Sequence, residues 1–258
     1  MSCRLIIIPP SHYCEKARWA LRLAGVPFTE EAHPPMFHVP AVKRAGGQRS
    51  TPALVTPDGT LGDSVEIMGW LQGLPEARWR PYGDDPALWE RVKGWERLFG
   101  DKLGPNTRRY AYYHLLPLPR AVSLPCITHG APAREVRLTA LFWPLIRWVM
   151  RSSMKINREG AARSQGRIDE CFEQVAAALR EGGGEGGYLV GDRLSAADLT
   201  FAALAAPVLM AEGYGAPLPA WGQLPAELQA QVTRYRAHPA GRFALRVYDE
   251  LRAGVRDR

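Results

Sequence analysis

The stretch PPSHYCEKARWALRLAG at residues 9–25 places two side chains suited to thiol chemistry where a predicted strand passes into a predicted helix. Ser11 and Cys14 are three positions apart, and a cysteine at both positions would form a thiol-disulfide motif. A helix N-terminus presents free N–H groups and a partial positive charge, which favour an anion. A serine hydroxyl there can donate a hydrogen bond to a thiolate carried by a ligand, and so lower the pKa of that thiol.

Each of these two residues also has a structural interpretation. Ser11 could simply cap the helix, which is a common role for serine. Cys14 could be acidified by the helix dipole and react itself, or it could be a small buried residue beneath the sheet. Because the first position is not a cysteine, disulfide exchange within the motif is unavailable.

A second candidate stretch is STPALVTPDGTLGDS at residues 50–64. Thr51-Pro52 precedes an apolar strand, and a cis bond there would direct the Thr51 backbone outward. Asp63, with Glu66 three positions later, predicts a capping box at the start of a helix. Alternatively, Ser64 and the helix N-terminus could hold a carboxylate while Asp63 pairs with an ammonium group. Such a pair would hold the amino-acid end of a small zwitterion.

These residues require an α/β unit to position them. Apolar runs, helical periodicity and the Pro57-Asp58-Gly59 turn predict the order β-α-β-(short α)-β-β-α through Leu74, which gives a four-stranded mixed sheet with helices on its faces. Residues 75–86 resemble a linker, and helical periodicity prevails from Ala87 onward. The predicted helices of this second part span 87–103, 133–153, 161–181, 196–212, 225–236 and 239–253.

Three segments of the second part differ in how clearly they can be assigned. In LSAADL (194–199), Ser195 and Asp198 predict a capping box, and the helix that follows is apolar nearly all round, as expected at the centre of a bundle. Residues 104–132 carry five prolines and receive no assignment. Residues 181–187 (EGGGEGG) predict a flexible loop.

Composition narrows the functional class. The 258 residues carry a net charge of +7 without a nucleic-acid-binding motif, which fits small anionic ligands better than nucleic acid. Four widely spaced cysteines predict neither a disulfide framework nor a zinc site. The longest apolar stretch, 138–150, is too short to span a membrane, although its Trp and Arg residues would suit a membrane surface. We expect a cytoplasmic protein without a membrane span.

Taken together, the SxxC helix start, TPAL, the DG hairpin, the Asp63-Ser64 helix start and LSAADLTFAAL resemble the glutathione S-transferase superfamily. The resemblance implies a thioredoxin-like glutathione-binding domain over residues 1–78 and an all-helical domain over 87–258 that holds an electrophile. It implies that Ser11 activates the thiol of glutathione as co-substrate, with no metal. It further implies contacts to the tripeptide from Thr51, a cis-Pro52, Asp63 and Ser64, and contacts to the glycyl carboxylate from some of His38, Lys43, Gln48 and Arg49.

The resemblance leaves the second substrate and the reaction open. Tyr110, Tyr113 and His114 are the candidates for an electrophile pocket, and they could equally be packing residues of a helical bundle. The expected activity is conjugation of glutathione to hydrophobic electrophiles in detoxification, by a homodimer. The alternatives are a non-catalytic glutathione- or ligand-binding protein, a Cys14-dependent glutathione thiol-disulfide reductase, and a scaffolding partner that uses the segment 104–160.

Overall fold

The chain was analysed as a computed structural model that describes residues 3–182 and 186–256. Its first part has the predicted β-α-β-α-β-β-α order, and the four strands form one mixed sheet in the order β2-β1-β3-β4. The elements are β1 (Cys3–Ile7), α1 (His12–Ala24), β2 (Phe28–Ala32), α2 (His38–Arg44), β3 (Ala53–Thr56), β4 (Gly59–Leu61) and α3 (Ser64–Gly73).

The strand register decides which loops become neighbours. β1 runs parallel to β2 and antiparallel to β3, with Ile6 opposite Ala53. β4 returns antiparallel to β3, with Leu61 opposite Leu54. The carboxyl ends of β1 and β4 and the amino end of β3 therefore lie at one edge of the sheet. That edge carries the Ser11, Thr51 and Asp63 loops.

The rest of the described chain is helical. Its α-helices are α4 (Pro86–Leu98), α5 (Gly104–Leu115), α6 (Arg120–Thr128), α7 (Ala133–Leu141), α8 (Trp143–Ser153), α9 (Arg158–Glu181), α10 (Ala196–Leu209), α11 (Ala226–Ala237) and α12 (Pro239–Arg256). A π-helical turn, Phe99–Leu103, joins α4 to α5, and a 3₁₀ turn, Trp221–Gln223, precedes α11.

Three segments differ from the prediction in the helices that they contain, and each difference involves a proline. The ends of the other predicted helices differ by up to three residues. The helix predicted over 87–103 continues through the π-helical turn into α5, which accommodates Pro105 in its first turn. The helix predicted over 133–153 is two helices, because a new helix begins at Trp143, directly after Phe142, with Pro144 in its first turn. The unassigned segment 104–132 contains α5 and α6, and α6 holds Pro125 inside it. Residues 183–185 of the predicted flexible loop lie outside the described residues.

α10 is the central helix of the molecule, as predicted. Its Ser195–Asp198 capping box is present, and Asp198 accepts hydrogen bonds from the backbone N–H groups of Leu189 and Ser195, both at 2.8 Å. The helix packs against α1, α4, α5, α11 and α12. The first helix of the sheet domain therefore rests directly on the core of the helical part.

Buried polar contacts also join the two parts. The Lys16 ammonium on α1 lies 2.5 Å from the Glu96 carboxylate on α4, and both side chains are buried. The Glu15 carboxylate accepts a hydrogen bond from the Gly215 N–H at 3.1 Å. Breaking a buried ion pair of this kind typically costs about 3–5 kcal/mol, since the remaining charge is left without a partner. These contacts hold α1, and with it Ser11, in one place relative to the helical part.

Two further properties concern the described residues only. No helix among them has both the length and the apolarity needed to cross a bilayer. Within the same residues, no cluster of three or more His, Cys, Asp or Glu side chains is arranged to hold a metal ion.

Candidate active site

Ser11 is the N-cap residue of α1. Its backbone is extended (φ −80°, ψ 117°), and its Oγ accepts a hydrogen bond from the Cys14 backbone N–H at 3.4 Å. The hydroxyl is half-buried. A hydroxyl that accepts one bond still has its own proton to donate. Ser11 therefore fills the capping role and keeps a donor available at the helix N-terminus.

Cys14 lies beneath this serine with its side chain completely buried. Burial raises the pKa of the Cys14 thiol, and its neighbours Ser11, Ile8, Arg18 and Thr51 offset that effect only in part. A buried thiol with a raised pKa is a poor nucleophile at neutral pH, because the thiolate is the reactive form. Ser11 and Thr51, on two different loops, both lie near this sulfur atom.

The Thr51-Pro52 peptide bond is cis, as the resemblance implied. It precedes β3 at the sheet edge that also carries Ser11, and Pro52 is buried. The neighbouring Ser50 hydroxyl donates to the Gly62 carbonyl at 2.9 Å, which links this loop to the Asp63 loop. Thr51, Pro52 and Ser11 are thus brought together by the topology of the sheet.

Asp63 and Ser64 begin α3 at the same edge. Asp63 is exposed and accepts hydrogen bonds from the backbone N–H groups of Val65 at 2.7 Å and Glu66 at 2.9 Å. The predicted capping box forms in altered form, since the Glu66 carboxylate accepts from the Gly62 N–H rather than from that of Asp63. Ser64 is buried at the first position of the helix.

The four residues considered for the glycyl carboxylate lie on or after α2. Lys43, Gln48 and Arg49 are exposed, and His38 is half-buried. None of them is tied by a side-chain hydrogen bond to Ser11, Thr51 or Asp63 among the described residues. These four residues therefore form a polar surface on α2 and on the loop between α2 and β3.

An apolar cavity opens between the two parts of the molecule next to Ser11. We call it the interdomain cavity. It is lined by the residues that flank Ser11, by one face of α5, by α6 and by the end of α10 with the segment after it: Pro10, His12, Arg108, Ala111, Tyr112, Leu115, Leu116, Ser123, Cys126, Ile127, Pro207, Met210, Tyr214, Leu218 and Pro219.

The wall formed by α1 is fixed by two hydrogen bonds to the π-helical turn and α5. His12 Nε2 donates to the Gly104 carbonyl at 2.9 Å, and the Tyr13 hydroxyl donates to the Gly100 carbonyl at 2.8 Å. Burial and then the charge of Arg108 lower the pKa of His12 to about 3, so the ring is neutral at physiological pH. Gly104 is required at this contact, because a Cβ there would lie 2.3 Å from the Tyr13 hydroxyl oxygen.

Arg108 is the charged residue of the interdomain cavity. Its Nε is buried without a hydrogen-bond partner, and no carboxylate of the described residues lies within ion-pair distance of its guanidinium. Charged side chains that are partly buried are normally paired. Arg108 thus presents an uncompensated positive charge to a cavity that is otherwise almost entirely apolar.

Tyr110, Tyr113 and His114, the predicted electrophile-pocket residues, line a different cavity. They lie on the face of α5 that points toward α9 and α11, where Arg158, Gln165 and Glu227 complete the lining. The rings of Tyr110 and Tyr113 each pack edge-to-face against the His114 ring with a centroid distance of 4.9 Å, and Tyr110 and His114 are buried. Tyr110, Tyr113 and His114 therefore do not line the interdomain cavity beside Ser11.

Sequence reasoning took the segment 108–117 as a candidate lining but did not single out the interdomain cavity residues Arg108, Ala111, Tyr112 and Leu115. Their spacing follows one helical face, so the periodicity of α5 would have grouped them had Pro105 not obscured the helix. Tyr214 and Cys126 had no comparable signal, because they come from a loop and from a helix interrupted by Pro125.

Comparisons with known proteins agree with this architecture. Residues 5–79 match the family model described as glutathione S-transferase, N-terminal domain. No curated protein sequence matches the chain. The resemblance stated from the sequence is thereby confirmed at the level of the N-terminal domain.

Solved structures of low sequence identity share the fold over nearly the whole chain. Glutathione transferase GSTFuA3 from Phanerochaete chrysosporium is 15% identical, with 98% of this chain and 97% of that chain covered and a TM-score of 0.64. Glutathione transferase F2 from Populus trichocarpa is 13% identical, with 99% and 100% covered and a TM-score of 0.61. A glutathione S-transferase of Ceriporiopsis subvermispora, solved in complex with glutathione, is 17% identical, with 96% and 97% covered and a TM-score of 0.61.

Proposed function

We propose that this chain, whose residues 5–79 form a glutathione S-transferase N-terminal domain and whose whole length has the glutathione-transferase fold, conjugates glutathione to hydrophobic electrophiles. The observation that carries the proposal is the position of the Ser11 hydroxyl. It caps α1 by accepting from the Cys14 N–H, keeps its own proton, and lies between two residues that line the interdomain cavity.

In this mechanism Ser11 donates a hydrogen bond to the sulfur of bound glutathione. The N-terminus of α1 adds its partial positive charge, so the thiol loses its proton to solvent more readily than in water. The thiolate then attacks an electrophilic carbon. A carbon–sulfur bond forms, and the leaving group departs with the electron pair of the bond that breaks.

The remaining residues of the sheet edge would hold the tripeptide. The Thr51 backbone before the cis-proline is suited to pairing with its cysteinyl unit. Asp63 and Ser64 at the start of α3 are suited to the charged γ-glutamyl end. The exposed cations and amides Lys43, Gln48 and Arg49 are available to the glycyl carboxylate. Glutathione is thus expected as co-substrate, without a metal.

The second substrate would bind in the interdomain cavity. Its apolar lining favours an aromatic or aliphatic electrophile. Because Arg108 has no carboxylate partner there, we expect a preference for electrophiles that carry an anionic group, such as a carboxylate. Tyr110, Tyr113 and His114 face another cavity and are not assigned to this substrate.

Two of the alternatives concern this site, and they differ in how well its geometry supports them. A Cys14-dependent reductase needs an accessible thiolate, whereas Cys14 is completely buried and its pKa is raised by burial. A non-catalytic glutathione-binding protein would use the same sheet edge, so a measurement of turnover is needed to distinguish it from an enzyme. A homodimeric assembly, a role in detoxification and a cytoplasmic location belong to the same proposal.

Conjugation of glutathione to an activated aryl chloride tests the proposal. We expect turnover that is dependent on glutathione and lost largely in Ser11→Ala, while calorimetric binding of glutathione persists. Binding without turnover that Ser11→Ala leaves unchanged would instead favour the non-catalytic protein. Loss of activity in Cys14→Ala with Ser11→Ala unaffected would favour the reductase.

A further inference from the structure

The end of α7 and the beginning of α8 expose an unusual concentration of large apolar side chains. Leu141 is 69% exposed, Phe142 48%, Leu145 52% and Trp148 65%. These four account for more than half of the large hydrophobic residues that are exposed in the described chain, and they lie within eight positions of one another. We call them the α7–α8 surface.

This exposure does not result from a poorly anchored helix. The opposite face of α8 buries Trp143, Ile146 and Met150, which pack with Leu116 and Ile127 in a separate small core. α8 therefore has two apolar faces, one covered by the protein and one uncovered. A helix of a globular domain needs only the first, so the second indicates an interaction surface.

α7 is also fixed to the rest of the molecule. The Glu135 carboxylate in its first turn lies 2.8 Å from His33 Nδ1 at the end of β2. The α7–α8 surface is consequently held on the sheet domain as well as on the helical part. It presents a preformed patch rather than a segment that must fold on binding.

Positive charge surrounds the apolar patch. Arg137 precedes Leu141 by one helical turn on α7, Arg151 follows Trp148 by one turn on α8, and both side chains are exposed. Residues 136–158 contain five Lys or Arg and no Asp or Glu, a net charge of +5. None of these five cations has a carboxylate partner among the described residues.

We propose that the α7–α8 surface binds the surface of an anionic lipid bilayer, with Leu141, Phe142, Leu145 and Trp148 inserted at the level of the headgroups. Tryptophan and phenylalanine favour this boundary, and arginine side chains at both ends of the patch can reach lipid phosphates. The combination of apolar insertion with a basic surround provides the two signals that stable peripheral binding requires.

A second copy of the chain fits this surface less well. A two-fold symmetric contact would bring two segments of charge +5 against each other. Four side chains also form a small patch compared with the roughly 800 Å² per partner that a stable protein interface buries. An acidic protein partner would satisfy the charge but would not require the exposed tryptophan and leucines.

Co-sedimentation of the full chain with vesicles tests the proposal. We expect binding to vesicles of phosphatidylcholine with about one-third phosphatidylglycerol, no binding to pure phosphatidylcholine, and weaker binding as salt is raised, since salt screens surface charges. The double variant Leu145→Ser/Trp148→Ser should reduce vesicle partitioning at least ten-fold. Arg137→Gln/Arg151→Gln should reduce it several-fold on anionic vesicles.

Trp221→Ser provides the matched control, because Trp221 is 45% exposed in a 3₁₀ turn that is not part of α7 or α8. It should partition like the unmodified chain, and all variants should keep its circular dichroism and glutathione binding. Absence of binding to anionic vesicles, or equal binding by Leu145→Ser/Trp148→Ser, would overturn the proposal. The proposal would also be overturned if millimolar inorganic phosphate displaced the chain from the vesicles, or if sedimentation without lipid showed a dimer that depends on the α7–α8 surface. Stoichiometric capture of an acidic protein that anionic vesicles fail to displace would likewise overturn it.

Discussion

The hydroxyl of Tyr214 donates a hydrogen bond of 2.8 Å to the carbonyl oxygen of Pro10, across the boundary between the helical part and the sheet domain. Pro10 precedes Ser11, and both Tyr214 and Pro10 line the interdomain cavity. The next residue, Gly215, donates to the Glu15 carboxylate on α1. The segment after α10 therefore holds the loop that carries Ser11 and forms part of the wall of the proposed electrophile site.

Replacing Tyr214 by phenylalanine should weaken this link. The Pro10 carbonyl loses its donor, so we expect a loss of about 0.5–1.5 kcal/mol in the free energy of unfolding and a raised KM for the electrophile. Urea unfolding and steady-state kinetics measure the two effects. Tyr235→Phe removes a 2.8 Å hydrogen bond to Asp169 within the helical part and should reduce stability without changing KM. An unchanged KM in Tyr214→Phe would contradict a role of this link in the site.

Cys14→Ala should retain conjugating activity within about two-fold. The Cys14 thiol is completely buried and burial raises its pKa, so it contributes packing rather than chemistry. We expect a stability loss on the order of 1 kcal/mol, as for a modest core truncation. In the native protein a thiol reagent should modify the half-buried Cys126 first and Cys14 only on unfolding. Rapid native labelling of Cys14 together with lost activity would support the reductase instead.

The effect of Arg108→Gln on KM should depend on the charge of the electrophile. Two aryl chlorides would be compared, one that carries a carboxylate and one that carries an equally activating neutral ester in its place. KM for the carboxylate substrate should rise about 10- to 100-fold, since a charge-assisted hydrogen bond contributes about 1.5–3 kcal/mol. The neutral ester should be little affected, and Arg108→Lys should restore much of the difference. Equal losses for both substrates would show that Arg108 acts on the thiolate and not on the electrophile.

Acid should destabilise the protein through His12. Its pKa is lowered to about 3, chiefly by burial. Between this pKa and that of the unfolded chain, His12 binds a proton in the unfolded state but not in the folded state. Stability is therefore complete above the unfolded pKa of about 6.5 and declines as the pH falls toward 3. Between pH 7 and pH 5 this residue should remove about 2 kcal/mol, measured by urea unfolding. His12→Gln can still donate to the Gly104 carbonyl, and should flatten that part of the pH profile; an unchanged profile would refute the assignment.

Much of the sheet domain could be predicted because local signals agreed with the final fold. Apolar runs, the DG turn and the helix stops placed the strands and helices within a few residues. Cis-Pro52 was expected from the family resemblance and is present in the structure. In the helical part, the apolar sequence of α10 and its Ser195–Asp198 cap predicted a central helix, which the structure confirms.

The interdomain cavity could not be predicted in the same way. Its lining comes from α1, α5, α6 and the loop after α10, which are far apart in sequence and meet only through tertiary packing. Pro105 and Pro144 also concealed helix boundaries, because a π-helical turn and a new helix start accommodate them, and Pro125 concealed α6, which contains it. The aromatic character of α5 led to the prediction that Tyr110 and Tyr113 line the electrophile pocket, whereas the face of α5 with Arg108 and Ala111 lines the interdomain cavity.

The pKa of the thiol of bound glutathione is the measurement that tests the central claim most directly. Ultraviolet difference spectra of the complex, recorded as a function of pH, report the thiolate. For the unmodified chain we predict a pKa well below the value of about 8.5 for a free thiol. In Ser11→Ala it should rise by about 1–2 units, the equivalent of one lost charge-assisted hydrogen bond, while glutathione remains bound. An identical thiolate titration in the two proteins would contradict the account.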